Sequence, residues 1–182
     1  APQAPASSAA PPAAAAHAAA LLLRQRRFPQ AEALLRAALA RQPDDAGLHN
    51  LLGLVLKNTG RIPEALAALA TAATLDPHSD APPVNQANIH LARHDGAAAA
   101  AILVRLLHHA PDNAEYHRMM GAAQRHLGAT EAALRHYAQA RALNPAAPRH
   151  WTEPAVLLEH AARVDEALAL LAQGAQANPA DA

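Results

Sequence analysis

Twelve histidines stand out in a 182-residue chain that has no cysteine. His90 and His94 are four positions apart, so a helix would place both imidazoles on one side. Two such rings can share a metal ion, but a zinc site takes a third or fourth ligand. A peptidase of the HExxH type also needs glutamate directly after its first histidine, and Leu91 stands there. Packing is the better account: His90 partly buried, His94 facing a turn. His108 and His109 close an apolar run, where a cation meets the negative end of a helix dipole. No cysteine means no thiolate nucleophile and no sulfur-bound zinc. No Gly-rich phosphate loop or Ser-His-Asp set is present. The expectation is no catalytic residue, no metal and no cofactor: this chain is not by itself an enzyme.

The bulk composition narrows the classes further. Fifteen basic side chains balance fifteen acidic ones, which argues against a nucleic-acid binder held by a basic surface. No apolar run reaches the ~18–20 residues needed to span a bilayer, so a cytoplasmic protein is expected, with the periplasm as the alternative. Alanine is abundant, and arginine dominates the cations, Lys57 being the single lysine. That bias is associated with GC-rich bacterial genes. An alanine-rich chain could be low in complexity, so repetition has to be sought first.

Proline sets the register. Pro43, Pro77, Pro111, Pro145 and Pro179 recur every 34 residues. Dividing on this period gives units at 12–45, 46–79, 80–113, 114–147 and 148–181, after an Ala/Pro/Ser-rich leader at 1–11 that reads as flexible. Other columns then align. The eighth place holds Ala19, Gly53, Ala87, Gly121 and Ala155; the twentieth is alanine in every copy, at 31, 65, 99, 133 and 167. The twenty-fourth is large, as Leu35, Leu69, Leu103, Tyr137 and Leu171, and the twenty-seventh is Ala38, Ala72, Leu106, Ala140 and Gly174. Small residues at fixed places let helix backbones approach, and large ones fill the space beside them. The proline cannot continue a hydrogen-bond ladder and ends the second helix. Asn58-Thr59-Gly60, Asp95-Gly96 and Leu127-Gly128 supply breakers between the two helices. Each unit is a helix, a turn, a second helix and a stop.

This pattern of small-8, Ala-20, large-24, small-27 and Pro-32 resembles the tetratricopeptide repeat. It is clearest at Leu52-Gly53, Ala65, Leu69, Ala72 and Pro77, and again at Gly121, Ala133, Tyr137, Ala140 and Pro145. The resemblance implies an all-α superhelical solenoid of about five helix-turn-helix repeats. It also implies that the first helix of each unit lines a concave groove through places 2, 5, 6, 9, 12 and 13. Those places give Asn50, Lys57, Asn58, Asn85, Asn88, Arg118, Arg125, His126 and Arg149 as peptide-binding candidates, with Glu115, Glu153, Glu159 and His160 beside them. Asn amides can pair with an extended backbone. Arg118 and Arg125, seven apart on one face, could hold a carboxylate. The carboxylate clamp of chaperone-binding relatives is absent, because Asn50, Leu54, Asn85, Glu115 and Met119 lack its cations. The asparagine ladder of O-GlcNAc transferases is also missing, since the sixth place reads His17, Leu51, Asn85, Met119 and Glu153.

Three departures carry expectations. The first unit opens with alanines around His17, which suits a cap. Pro82-Pro83 pre-set a first helical turn in the third unit. Pro154 falls inside the opening helix of the fifth and predicts a kink there, or a helix that starts near Pro154. His49, His117 and Trp151 share the fourth place, where packing is the expected role. After Leu168, Leu170 and Leu171 the sequence offers no polar covering helix, so either a longer natural chain or a second subunit is expected to cover that face. The function expected is a protein-interaction module that holds a peptide segment of a partner in the groove. The alternatives are the substrate-recruiting part of a larger bacterial enzyme, of glycosyltransferase, sulfotransferase or 2-oxoglutarate-dependent hydroxylase type with a C-terminal catalytic domain, and a scaffold for secretion or envelope assembly.

Overall fold

A computed structural model describes residues 12–177; the leader at 1–11 and Pro179 lie outside them. Ten α-helices occur among the described residues: α1 Pro12–Arg24, α2 Phe28–Leu39, α3 Ala46–Asn58, α4 Ile62–Leu75, α5 Ala81–Ala92, α6 Gly96–His109, α7 Ala114–His126, α8 Thr130–Leu143, α9 Arg149–His160 and α10 Val164–Ala177. They form consecutive helical hairpins, and the described residues contain no strand. The chain divides into two compact units, one through residue 85 and one from residue 86.

Local chemistry sets the helix ends. The Asp45 carboxylate caps α3 by accepting from the Leu48 N–H at 2.9 Å, Asp95 caps α6 through Ala98, and the Asn113 side chain accepts from Glu115 and Tyr116 at α7. Each cap satisfies donors that the first helical turn leaves unpaired. Pro29 and Pro63 stand in the first turns of α2 and α4, where a missing N–H costs nothing. The repeating prolines follow the ends of α4, α6 and α8 by two residues.

The turn inside each hairpin has its own register. Arg26, Gly60, His94, Gly128 and Ala162 all have positive φ, between 58° and 79°. In the third hairpin this corrects the assignment of Asp95-Gly96 as the breaker. Asp95 is the cap, Gly96 is already helical, and His94 takes the left-handed turn. Gly96 is needed for another reason: a Cβ there would meet the Ala123 carbonyl oxygen at 2.5 Å.

Core packing follows the columns. The twentieth-place alanines at 31, 65, 99 and 133 and the large residues Leu35, Leu69, Leu103 and Tyr137 are fully buried. Opposite them the helices come so close that a Cβ on Gly53 would sit 2.6 Å from Leu69, and one on Gly121 would sit 2.9 Å from the Tyr137 ring. The fifth hairpin departs from this. Leu171, its twenty-fourth-place residue, is 41% exposed, and Leu170 fills the core with Ala155, Leu158 and Ala167. Pro154 does not begin a helix: α9 runs through it from Arg149, and the proline ring itself is buried.

Two substitutions test this packing. Ala133→Leu should overpack the α7–α8 seam and cost about 1–3 kcal/mol in chemical denaturation. Ala162→Gly should raise stability by about 1 kcal/mol, because only the alanine carries the left-handed penalty.

Candidate functional site

The polar side chains of the first helices form two layers. The deeper layer consists of pairs made by the protein with itself. Asn85 Nδ2 donates to Asn50 Oδ1 at 2.9 Å, 35 residues away. Arg118 Nη1 reaches both carboxylate oxygens of Glu153, also 35 residues away, at 2.7 and 3.0 Å. The fifth place of one repeat therefore meets the sixth place of the next. Arg118 also forks onto Glu115 through Nε at 2.9 Å and Nη2 at 2.6 Å. Its side chain is only 10% exposed.

This corrects the expectation that Arg118 offers an open fork to a ligand, since its donors are filled by Glu115 and Glu153. Burial pushes the Glu115 carboxyl up, but the hydrogen bonds and charge of Arg118 outweigh it and hold the group below the usual range. The paired carboxylates in turn hold the Arg118 guanidinium above its ordinary value. Behind them the Tyr137 hydroxyl is buried beside Glu153, with no well-formed hydrogen bond among the described residues. Burial, with the charge of Glu153 nearby, pushes it up to about 12.

The outer layer is open to solvent. In the second unit, α7 and α9 enclose a shallow pocket of about 260 Å³ lined by Arg118, Ala122, Arg125, Thr152, Glu153 and Val156. Arg125 is exposed and has no ion-pair partner among the described residues, and Val156 is exposed beside it. Arg149 is exposed at the start of α9, and its charge reaches Glu115. Asn88 is half-buried. In the first unit Lys57 and Asn58 are exposed, and the Asn58 amide caps its own helix by donating to the Leu54 carbonyl at 2.7 Å.

The histidines go elsewhere. His90 contacts Asp95 through Nδ1 at 3.1 Å, while His94 turns to His126, with the two Nδ1 atoms 3.3 Å apart. The pair at 90 and 94 therefore does not converge, and no group of three or more metal-ligating side chains occurs among the described residues. At the fourth place, packing is only part of the role. His49 Nε2, His117 Nε2 and Trp151 Nε1 each bond the carbonyl of the proline six residues upstream, at 2.7, 2.8 and 2.8 Å. Each ring ties the start of a repeat to the stop before it. Because a carbonyl only accepts, His117 must carry its proton on Nε2. Its bare Nδ1 then faces His136 Nδ1 at 3.2 Å, which must donate.

Sequence reasoning missed the arginines that open the second helices. Arg61 forks onto Glu64 in its own helix and reaches Glu32 of the preceding hairpin at 2.7 Å. Arg163 repeats this with Glu166 and with Glu131, both at 2.6 Å. The signal was available as arginine followed three residues later by glutamate, 102 residues apart in the two copies.

Two models of the tetratricopeptide repeat family match residues 17–80 and 59–123, together more than half of the chain. The chain belongs to the tetratricopeptide repeat family, an all-α solenoid class whose members serve as protein-interaction scaffolds. Among solved structures it is similar to MamA 41-end from Desulfovibrio magneticus RS-1, with a TM-score of 0.80 at 15% identity over 91% of this chain and 94% of that one. MamA of MSR-1 superposes with a TM-score of 0.73 at 17% identity, over 94% of this chain and 98% of that one. At those identities the likeness establishes the fold. No curated protein matches the chain. None of the described helices is long and apolar enough to cross a membrane.

Two measurements check the site chemistry. Arg118→Gln takes the charged partner from the half-buried Glu153 and the exposed Glu115 and should cost about 1–3 kcal/mol of stability. His126 and His136 are both held below the ordinary imidazole value of 6.5, first by burial and then by Arg125 and His94, or by His117 and Arg135. Below pH 6.5 the unfolded chain therefore takes up these protons before the folded one, and stability falls as acid is added. Urea midpoints should drop between about pH 7.5 and 5.5, and the double variant His126→Gln/His136→Gln should flatten that drop.

Proposed function

We propose that this chain is an interaction module that takes an extended segment of a partner polypeptide across its first-helix face. The observation that carries the reading is the contrast between the two polar layers. Asn50, Asn85, Arg118 and Glu153 are consumed in holding neighbouring repeats together, and Glu115 braces Arg118 within α7. Lys57 in the first unit and Arg125 and Arg149 in the second stay exposed. A pre-paired floor keeps the surface rigid, and rigidity lowers the ordering cost of binding.

In the second unit the anchor is Arg125 with its neighbour Val156. A guanidinium beside an apolar side chain suits a peptide that places an acidic and an aliphatic residue close together. Asn88, Lys57 and Asn58 extend the same kind of surface with amides and one ammonium group, each able to bond a backbone carbonyl. Binding, rather than catalysis, is the activity such side chains support, since none is an activated nucleophile or a paired acid and base.

Selection of peptides from a displayed random library against the intact protein tests this. Enriched peptides should lose about tenfold or more in affinity for Arg125→Glu, the expected loss of a charge-assisted contact, while helicity by circular dichroism stays unchanged. Peptides that bind Arg125→Glu and Val156→Asp as tightly as the parent would remove the first-helix assignment.

A further inference from the structure

A second surface is lined by a different set of residues. In the second unit a cleft of about 500 Å³ runs between α8 and α10, with Leu134, Ala138, Leu158 and Leu170 in its wall and Arg141 among them. This is within the size range of ligand sites, which are typically ~300–1,000 Å³ and mostly apolar with a few placed polar groups. The placed group here is Arg141. Its guanidinium lies 5.4 Å from the centre of the Trp151 ring, and that face-on contact orients it.

Arg141 differs from the arginines that build the fold. Arg36, Arg61, Arg118 and Arg163 each have a carboxylate within 4.0 Å. Arg141 is half-buried, no carboxylate among the described residues pairs with it, and burial alone pulls its pKa below the ordinary arginine value. A cation taken partly out of water without an opposite charge is unfavourable. An incoming carboxylate would find a donor fork already desolvated and aimed, with apolar surface on both sides.

We infer that the α8–α10 cleft is a docking surface for an acidic segment of a partner polypeptide, one carboxylate pairing with Arg141 and flanking aliphatic side chains entering between Leu134 and Leu170. Charge complementarity selects the acid, and the shape selects the source. The cleft is open to solvent, as suits a chain laid along it. Of the other arginines in the lining, Arg163 is already neutralised by Glu131 and Glu166 and Arg135 is exposed to solvent, so Arg141 is the desolvated cation that an acid meets against the apolar wall. This surface is separate from the first-helix face and stands or falls without it.

Trp151 is the single tryptophan of the chain, so its fluorescence reports on Arg141 directly. The intact protein is titrated with the peptide acetyl-Ala-Leu-Glu-Leu-Leu-Glu-Ala-amide, with its counterpart carrying glutamine for both glutamates, and with octanoate. The acidic peptide should give a saturable change in Trp151 emission. The glutamine peptide and the variant Arg141→Gln should each bind roughly ten- to a hundredfold more weakly, as expected for loss of a charged hydrogen bond. Ala138→Glu, which fills the cleft and adds a like charge, should also weaken binding, and Arg125→Glu should leave it unchanged. Circular dichroism confirms that each variant is folded. No saturable change, equal binding to Arg141→Gln and Ala138→Glu, or saturation by octanoate without the peptide would each overturn the assignment.

Discussion

Close approach of two helix backbones is the constraint on which the rest of this structure depends. It exists where a residue without a bulky side chain faces a large one: Gly53 against Leu69, and Gly121 against Tyr137. A hairpin built this way is thin, so its core needs few large side chains. That is how a chain with 2% aromatic residues still closes around fully buried leucines, Tyr137 and a column of alanines. Dispersion between many small contacts replaces the few large contacts of an ordinary core. The same thinness leaves no room for error at those columns.

Polar chemistry then fixes one hairpin to the next. Rings at the fourth place hold the carbonyl of the preceding stop proline, so the loop between repeats is fastened at its base. Arginines that open second helices join neighbouring hairpins on one side, through Glu32 and Glu131. On the first-helix side, Asn50 with Asn85 and Arg118 with Glu153 do the same across 35 residues. Exposed pairs of this kind add little stability each. Arg118 is different, because it is itself buried and depends on Glu115 and Glu153 to balance its charge.

The proposed binding draws on the polar groups that remain after this internal pairing. Arg125, Lys57 and Arg149 are left on the first-helix face, and Arg141 is left in the cleft between α8 and α10. The two surfaces use the same principle at different depths. The first offers solvated cations above a rigid floor, and the second offers one desolvated cation in an apolar wall. A family member with both would engage two segments of polypeptide without any overlap in the residues used.

The sequence alone determined the repeat. A 34-residue recurrence of proline, alanine and one large residue admits one kind of helical hairpin, because each column reports a close approach between backbones that recurs from copy to copy, the fifth departing only at its large residue. It also placed Arg118, Arg125 and the asparagines on one set of helices. What it left open was which of them were spent. That Arg118 is filled by Glu115 and Glu153, that Asn50 pairs with Asn85, and that His94 rather than Gly96 takes the turn depend on side chains brought together from positions distant in the chain. Only tertiary structure decided these, because an ion pair or hydrogen bond is set by ångström separations that periodicity does not encode. Arg141 shows the limit best: in the sequence it is one arginine among fourteen, and its burial beside Trp151 without a carboxylate exists only once α8, α9 and α10 have packed.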